Sequence, residues 1–257
     1  MRTEFDLISS EMKRTLVRCV ENAVGDDIVE DITTSNLRRH NSVRFRKWDY
    51  LYSNVMVAAN AECFEAPIAN RGFWELCFAF DYDSGFIIAF MQENRFAKLQ
   101  KTQKSRRRMH YIDALAKYFN YDLRNDYGQL SLFPNIPHVF TNENTLSEQI
   151  HKLLSDLEGG CDIVSRHVIV LFDTYGYRLT SIRAVMVTPD LNIADGYEQN
   201  WSSYISDMES VIIPKVAEPN APYNQPNHGL SFTSKSIARM EGKVKLKDSQ
   251  EEDKKAE

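Results

Sequence analysis

Apolar residues recur every three or four positions at Phe5, Ile8, Met12, Leu16, Val20 and Val24, the spacing of one face of an amphipathic helix. Glu4, Asp6 and Glu11 favour its start and Gly25 its stop. Residues 36–60 carry Val43, Phe45, Trp48, Leu51, Tyr52 and Val55, a pattern compatible with a strand followed by a helix. Two runs rich in aromatic and β-branched residues follow, Phe73–Tyr82 and Phe86–Gln92, with Asp83-Ser84-Gly85 between them. That is a hairpin signal. Along the first run Trp74, Leu76, Phe78 and Phe80 alternate with Glu75, Cys77, Ala79 and Asp81, which predicts one core-facing and one more polar face.

From Asn94 to Asn120 the spacing predicts a helix, with Met109, Ile112, Leu115, Ala116 and Phe119 on one face. A basic loop near Thr102–Arg108 fits the same stretch equally well. Residues 121–145 are punctuated by Gly128, Pro134 and Pro137 and read as a loop. Thr145–Leu157 reads as a short helix opened by a Thr145…Glu148 capping box and closed near Gly159-Gly160. His167–Phe172 and Leu179–Val187 then form a second hairpin around Gly176, and Pro189, Asp190 and Asn192 make a turn. Together these elements predict an α+β fold: antiparallel β-hairpins packed with helices, in one domain over residues 1–213. Four of the eight prolines fall in 214–226 and the chain end is nearly all charged. Residues 214–257 are therefore expected to form a disordered tail.

Composition removes whole classes. The chain has 257 residues, 43% hydrophobic and 26% charged, so it is neither collagen-like nor of low complexity. Its longest apolar run, Phe86–Met91, is far shorter than the ~20 residues of a membrane helix, so no membrane partner is expected. The polar, acidic N-terminus does not read as a signal peptide. Cys19, Cys63, Cys77 and Cys161 are widely spaced with no CxxC pair. That pattern predicts neither a zinc module nor a disulfide framework, and it fits a cytoplasmic location.

The formal net charge of −5 conceals an uneven distribution. Residues 1–125 hold 19 Lys/Arg against 17 Asp/Glu, leaving 12 against 19 for the remainder. From Asn94 to Ile112 there is no acidic residue, and the stretch contains Arg95, Lys98, Lys101, Lys104, Arg106, Arg107 and Arg108. Arg38, Arg39, Arg44, Arg46 and Lys47 form a second cluster. Such patches are the footprint of a polyanion binder, even on an acidic protein. Lys98, Lys101, Lys104, Arg106, Arg107 and Arg108 are accordingly the expected nucleic-acid contacts, to DNA or RNA.

Catalytic chemistry has weaker support. Glu75 and Asp81 on the first hairpin, with Glu93 beyond the second strand, are candidates for a metal-dependent nuclease or toxin site. Gln92-Glu93-Asn94-Arg95 places arginine where restriction-type nucleases use a lysine, and arginine cannot act as a titratable base. His110 and Asp113, at i and i+3, form either an acid–base pair or a helix contact. His167 and Asp173 lie about 20 Å apart by strand rise, too far to cooperate. Arg178 and Arg183 flank the second turn and suit either phosphate or Asp173. Cys77 and Cys161 have no basic neighbour in sequence and read as core thiols. No glycine-rich phosphate loop is present, and no cofactor or metal site is predicted.

Inside the 121–145 loop, Gln129-Leu130-Ser131-Leu132-Phe133 resembles the peptide by which bacterial polymerases, repair proteins and clamp loaders bind the DNA sliding clamp. All five positions match. The resemblance implies that Gln129 fills a small polar pocket, while Leu130, Leu132 and Phe133 lie along an apolar groove. Over most of residues 5–213 the chain also resembles an uncharacterised bacterial family catalogued as a domain of unknown function. Arg71-Gly72-Phe73-Trp74, Met109–Asp113 and Leu179–Val185 carry that likeness, which implies no activity. The reading that results is a bacterial or phage cytoplasmic protein acting as a nucleic-acid-associated binding or adaptor module that docks the sliding clamp. A nuclease and a protein-interaction regulator are the alternatives.

Overall fold

The long apolar run of the second predicted strand is explained by a sheet covered on both faces. A computed structural model describes residues 4–35, 41–61, 64–71, 74–124 and 139–206. Six helices are described, α1 (Ser10–Val24), α2 (Asp26–Thr34), α3 (Val43–Ala61), α4 (Glu93–Thr102), α5 (Tyr111–Phe119) and α6 (Leu146–Leu153). The strands are β1 (Phe64–Glu65), β2 (Ile68–Arg71), β3 (Trp74–Cys77), β4 (Ala79–Asp81), β5 (Phe86–Gln92), β6 (Arg166–Tyr175), β7 (Arg178–Val187) and β8 (Ile193–Asn200). The main sheet runs β1-β4-β5-β6-β7-β8, and β2 and β3 form a separate ribbon. All pairings are antiparallel except β5 with β6, where Ile87 faces His167 and Met91 faces Leu171.

Side chains alternate between two cores along the central strands, as the two-residue period of a strand requires. Val168, Val170 and Phe172 join Leu16, Val20, Leu51 and Trp201 on the face covered by α1 and α3. Ile169 and Leu171 join Phe96, Leu99, Ile112, Leu115 and Ile150 on the face covered by α4, α5 and α6. A strand buried on both faces reads as a continuous apolar run, which is the pattern of His167–Phe172.

The N-terminal helix and its stop at Gly25 are observed, but its start is later than expected. Glu4–Leu7 form a separate 3-10 turn, and α1 begins at Ser10, where Ser9 caps it by accepting from the Met12 amide at 3.0 Å. Gly25 also starts α2, and a Cβ there would sit 2.9 Å from the Glu21 carbonyl oxygen and 3.2 Å from that of Tyr177. That space admits no side chain without movement.

Several expectations are corrected. Val43–Ala61 form one helix, so Val43 and Phe45 are helical and not part of a strand. Residues 36–40 lie outside the described residues. The predicted strand 73–82 breaks at Phe78, whose amide donates to the Pro67 carbonyl at 3.0 Å. The part before the break pairs with β2 and the part after it with β5. The alternation of faces holds from Leu76 to Phe80, with Leu76, Phe78 and Phe80 on one core and Cys77 and Ala79 on the other. The second face is buried and not polar, and Trp74 is exposed instead of core-facing. The helix expected over 94–120 is interrupted after Thr102 by a short 3-10 turn and a loop, and resumes at Tyr111. The basic loop alternative is the one observed. Thr145 makes no side-chain cap on α6. β8 lies in a stretch with no predicted strand, at the sheet edge, where only Ala194 is fully buried. Residues 214–257 and the Gln129–Phe133 peptide lie outside the described residues.

A basic, aromatic cleft as the candidate functional site

The C-terminal end of β5 opens into a cleft of about 910 Å³ between α3, the β3 strand and the start of α4. Its lining comes from four sequence regions. Arg44, Phe45, Lys47, Trp48 and Tyr52 project from α3, Trp74 and Glu75 from β3, Gln92, Asn94, Arg95 and Lys98 from the β5–α4 junction, and His110 and Tyr111 from the start of α5. The two basic clusters of the sequence, about 50 residues apart, thus both supply cations to one cavity. Arg44, Arg95 and Lys98 are exposed and have no ion-pair partner among the described residues. Desolvation by burial holds the Lys47 ammonium below its usual pKa, and its Nζ donates to the Gly176 carbonyl at 3.3 Å. The first turn of α4 borders the cavity, so the helix dipole adds positive potential there.

The aromatic lining is layered. Trp48 packs on Phe172 with ring centroids 5.8 Å apart and on Tyr52 at 5.9 Å, anchoring the floor in the core. Burial raises the Tyr52 pKa. At the rim, Phe45 and Trp74 meet at 5.4 Å with ring planes 41° apart, and both stay about half exposed, at 53% and 51%. The sequence pattern misplaces Trp74 on the inward face of a strand. Its adjacency to Phe45 depends on β3 leaving the main sheet, of which the alternation gives no sign.

The predicted nucleic-acid residues divide. Lys98 lines the cleft. Lys101, Lys104, Arg107 and Arg108 are exposed on the α4 surface and on the loop that follows. Arg106 is engaged instead: Nη1 and Nη2 donate to the two carboxylate oxygens of the fully buried Asp113 at 2.6 and 2.9 Å. In the other cluster Arg46 pairs with Asp31. Arg38 and Arg39 lie outside the described residues.

The candidate catalytic carboxylates do not converge. Glu75 is on the cleft wall. Asp81 is buried, accepts from the Ser84 hydroxyl, and pairs in register with Phe86 at the start of β5. Glu93 follows the other end of that strand, about 23 Å away by strand rise. Its two oxygens accept from Arg183 Nε at 2.6 Å and Nη2 at 2.9 Å. Glu198 joins the same guanidinium, and the two carboxylates raise its pKa. Arg183 therefore serves as a tether from β7 to α4 and β8. His110 and Asp113 form a helix cap: His110 Nδ1 accepts from the Ile112 amide at 3.3 Å, and Asp113 accepts from the His110 amide at 2.8 Å. Among the described residues no group of three or more His, Cys, Asp or Glu is placed to hold a metal ion.

The three described thiols, Cys19, Cys77 and Cys161, are buried. Burial pushes Cys77 up to about 12. Cys161 has a basic neighbour that the sequence does not show, His151, with Sγ to Nδ1 at 3.3 Å, yet burial again raises its pKa. No described helix is long and apolar enough to cross a membrane.

No curated protein and no solved structure matches the chain. One protein family does, over residues 6–249, which takes in every strand and helix described above. The chain belongs to DUF5986, a family of unknown function.

Proposed function

We propose that the chain is a nucleic-acid-associated binding module whose contact surface is the cleft at the end of β5 and the basic face beside it. The observation that carries this reading is the convergence of Arg44 and Lys47 with Arg95 and Lys98 around a single cavity. Lys101, Lys104, Arg107 and Arg108 extend the positive surface along α4 and the following loop. Cations gathered in a concave surface focus potential and attract a polyanion more strongly than scattered charges do. The protein's overall negative charge keeps this attraction local.

The test is retention of labelled DNA and RNA by the full chain at low salt, followed through a salt titration. Binding should weaken steeply as salt rises, because each neutralised phosphate releases counterions. Replacing Lys98, Lys101 and Lys104 together by Gln should flatten that dependence. Absence of retention of either nucleic acid at low salt overturns the proposal.

The adaptor part of the reading rests on the five-position match of Gln129–Phe133 to the sliding-clamp peptide. Micromolar binding to a bacterial sliding clamp, lost in a folded Leu132→Ala, Phe133→Ala variant, is the expected result. Equal binding, or equal failure to bind, by the two proteins removes the clamp from the proposal and leaves the cleft untouched.

A further inference from the structure

The cations explain attraction to a polyanion, but they do not explain the exposed aromatic pair. Phe45 and Trp74 come from elements that are not neighbours in sequence, touch at 5.4 Å, and each leaves about half its surface in water. Large apolar side chains usually gain by being covered, and an exposed aromatic cluster beside a cavity marks a contact surface. The pair stands as a ridge. On one side lies the basic cleft. On the other lies a second depression of about 450 Å³, lined by Met56, Ser53, Ile68 and Asn70, with Asp49 and Glu75 at its edge. Positive charge is thus confined to one flank of the ridge; the other carries apolar and neutral polar groups with two carboxylates, Asp49 and Glu75, and no cation among the described residues.

We propose that this ridge is a stacking platform that makes the site selective for single-stranded nucleic acid. The inference rests on the phosphate-binding reading of the cleft and specifies its substrate class. A single strand presents phosphates along one edge and unpaired base faces along the other. The phosphates would run past Arg95, Lys98 and Arg44, and bases would lie against Trp74 and Phe45. Every base has a π-face, so stacking of this kind is tolerant of sequence. A duplex offers the same phosphates, but its base faces are covered by their neighbours, and the ridge would have nothing to stack on. Asn70 and Ser53, in the second depression, are the side chains placed to hydrogen-bond a base edge there.

The experiment compares three ligands by fluorescence anisotropy on the full chain: labelled oligodeoxythymidine, labelled oligouridine, and the oligodeoxythymidine annealed to its complement. Single strands are expected to bind about tenfold more tightly than the duplex at equal salt. Trp74→Ala should lower single-strand affinity about tenfold and duplex affinity far less, and leave the salt slope unchanged. Trp74→Phe, which keeps an aromatic face, should recover most of the loss. Trp74 is half exposed, and circular dichroism verifies that each variant is folded. Equal affinity for single strand and duplex, with no effect of Trp74→Ala, overturns the stacking platform while the phosphate reading stands. Failure of all three ligands to bind at low salt overturns the phosphate reading itself, and the inference with it.

Discussion

Arg106 and Asp113 close a bidentate ion pair, at 2.6 and 2.9 Å, across the loop that separates α4 from α5. Asp113 also accepts from Gln103 Nε2 at 3.1 Å and from the His110 amide. One carboxylate thus ties together the 3-10 turn, the loop and the helix cap. Gln103 Nε2 reaches on to the Pro189 carbonyl at 3.1 Å, so the knot also holds the turn after β7.

This arrangement separates residues that look alike in sequence. Arg106→Ala leaves the buried Asp113 carboxylate without its countercharge, and should cost about 3 kcal/mol of stability. Lys98→Ala, on an exposed side chain with no described partner, should leave stability within about 0.5 kcal/mol of wild type. Only Lys98→Ala should weaken nucleic-acid binding while the fold stays intact, lowering the salt slope by about one unit. Urea unfolding of the two variants, paired with a salt titration of binding, checks both halves.

His167 supplies a pH dependence. It is fully buried beneath α5, and neither ring nitrogen has a hydrogen-bond partner among the described residues. Its backbone is held instead: Asn120 accepts from the His167 amide at 3.0 Å and donates to its carbonyl at 2.8 Å. Burial lowers the ring's pKa to about 3. The unfolded chain, with an ordinary histidine pKa near 6.5, binds a proton that the folded chain refuses. Stability is therefore unaffected by this group above about pH 7 and falls as pH drops from about 6.5 towards 3. Between pH 7 and 5 the loss should be about 2 kcal/mol. His167→Leu should remove that part of the pH dependence. Urea midpoints of both proteins at the two pH values measure it, and parallel shifts would contradict the assignment.

What the sequence discloses and what it hides follow from the range of the forces involved. The stop at Gly25 and the turns at Gly85 and Gly176 are set by neighbours a few residues away, and each has a local signal. The helical spacing of Leu16 and Val20 and the apolar run of β6 also show, because burial acts along one element at a time. The parallel pairing of β5 with β6 joins segments about 80 residues apart, and no local pattern encodes it. Glu93 resembles a metal ligand in sequence because its partner, Arg183, is 90 residues away. β8 is an edge strand with a mostly exposed, polar pattern, so its apolar signal is too weak to see. The cleft is half legible: both basic clusters are evident in sequence, their meeting is not. Trp74 escapes the alternation because the chain turns at Phe78, where the hydrogen bond to Pro67 redirects it.

The β4–β5 turn offers a test of local packing. Gly85 has φ +72°, and a Cβ there would lie 2.8 Å from Ser165 Oγ. Ser165 is bound to this turn, its amide donating to the Gly85 carbonyl at 2.8 Å. Gly176, in the β6–β7 turn, has φ +62°, but a Cβ there would meet nothing within 4 Å. Gly176→Ala should therefore cost only the left-handed backbone strain, about 1 kcal/mol. Gly85→Ala adds a steric displacement of Ser165 and should cost about 3 kcal/mol. Thermal or urea unfolding of the pair gives the difference directly, and equal losses would show that Ser165 moves aside freely.

Glu75 distinguishes the binding module from the nuclease. It is an exposed carboxylate on the wall of a cavity otherwise supplied with Arg44, Lys47, Arg95 and Lys98. If the cavity holds phosphates, Glu75 repels them, and Glu75→Gln removes that repulsion while keeping the side chain's size. The screened interaction at a surface site is about 0.5–1 kcal/mol, so affinity for nucleic acid should rise about two- to fivefold. If Glu75 instead held a divalent cation for phosphodiester cleavage, the same substitution would abolish magnesium-dependent cleavage, as loss of a metal ligand does. The two readings give opposite outcomes for one conservative change. Asp81 and Glu93 favour the first: one is buried against Ser84, the other is neutralised by Arg183, and neither reaches Glu75's cavity. Tighter binding by Glu75→Gln with no metal-dependent cleavage in either protein is the expected result.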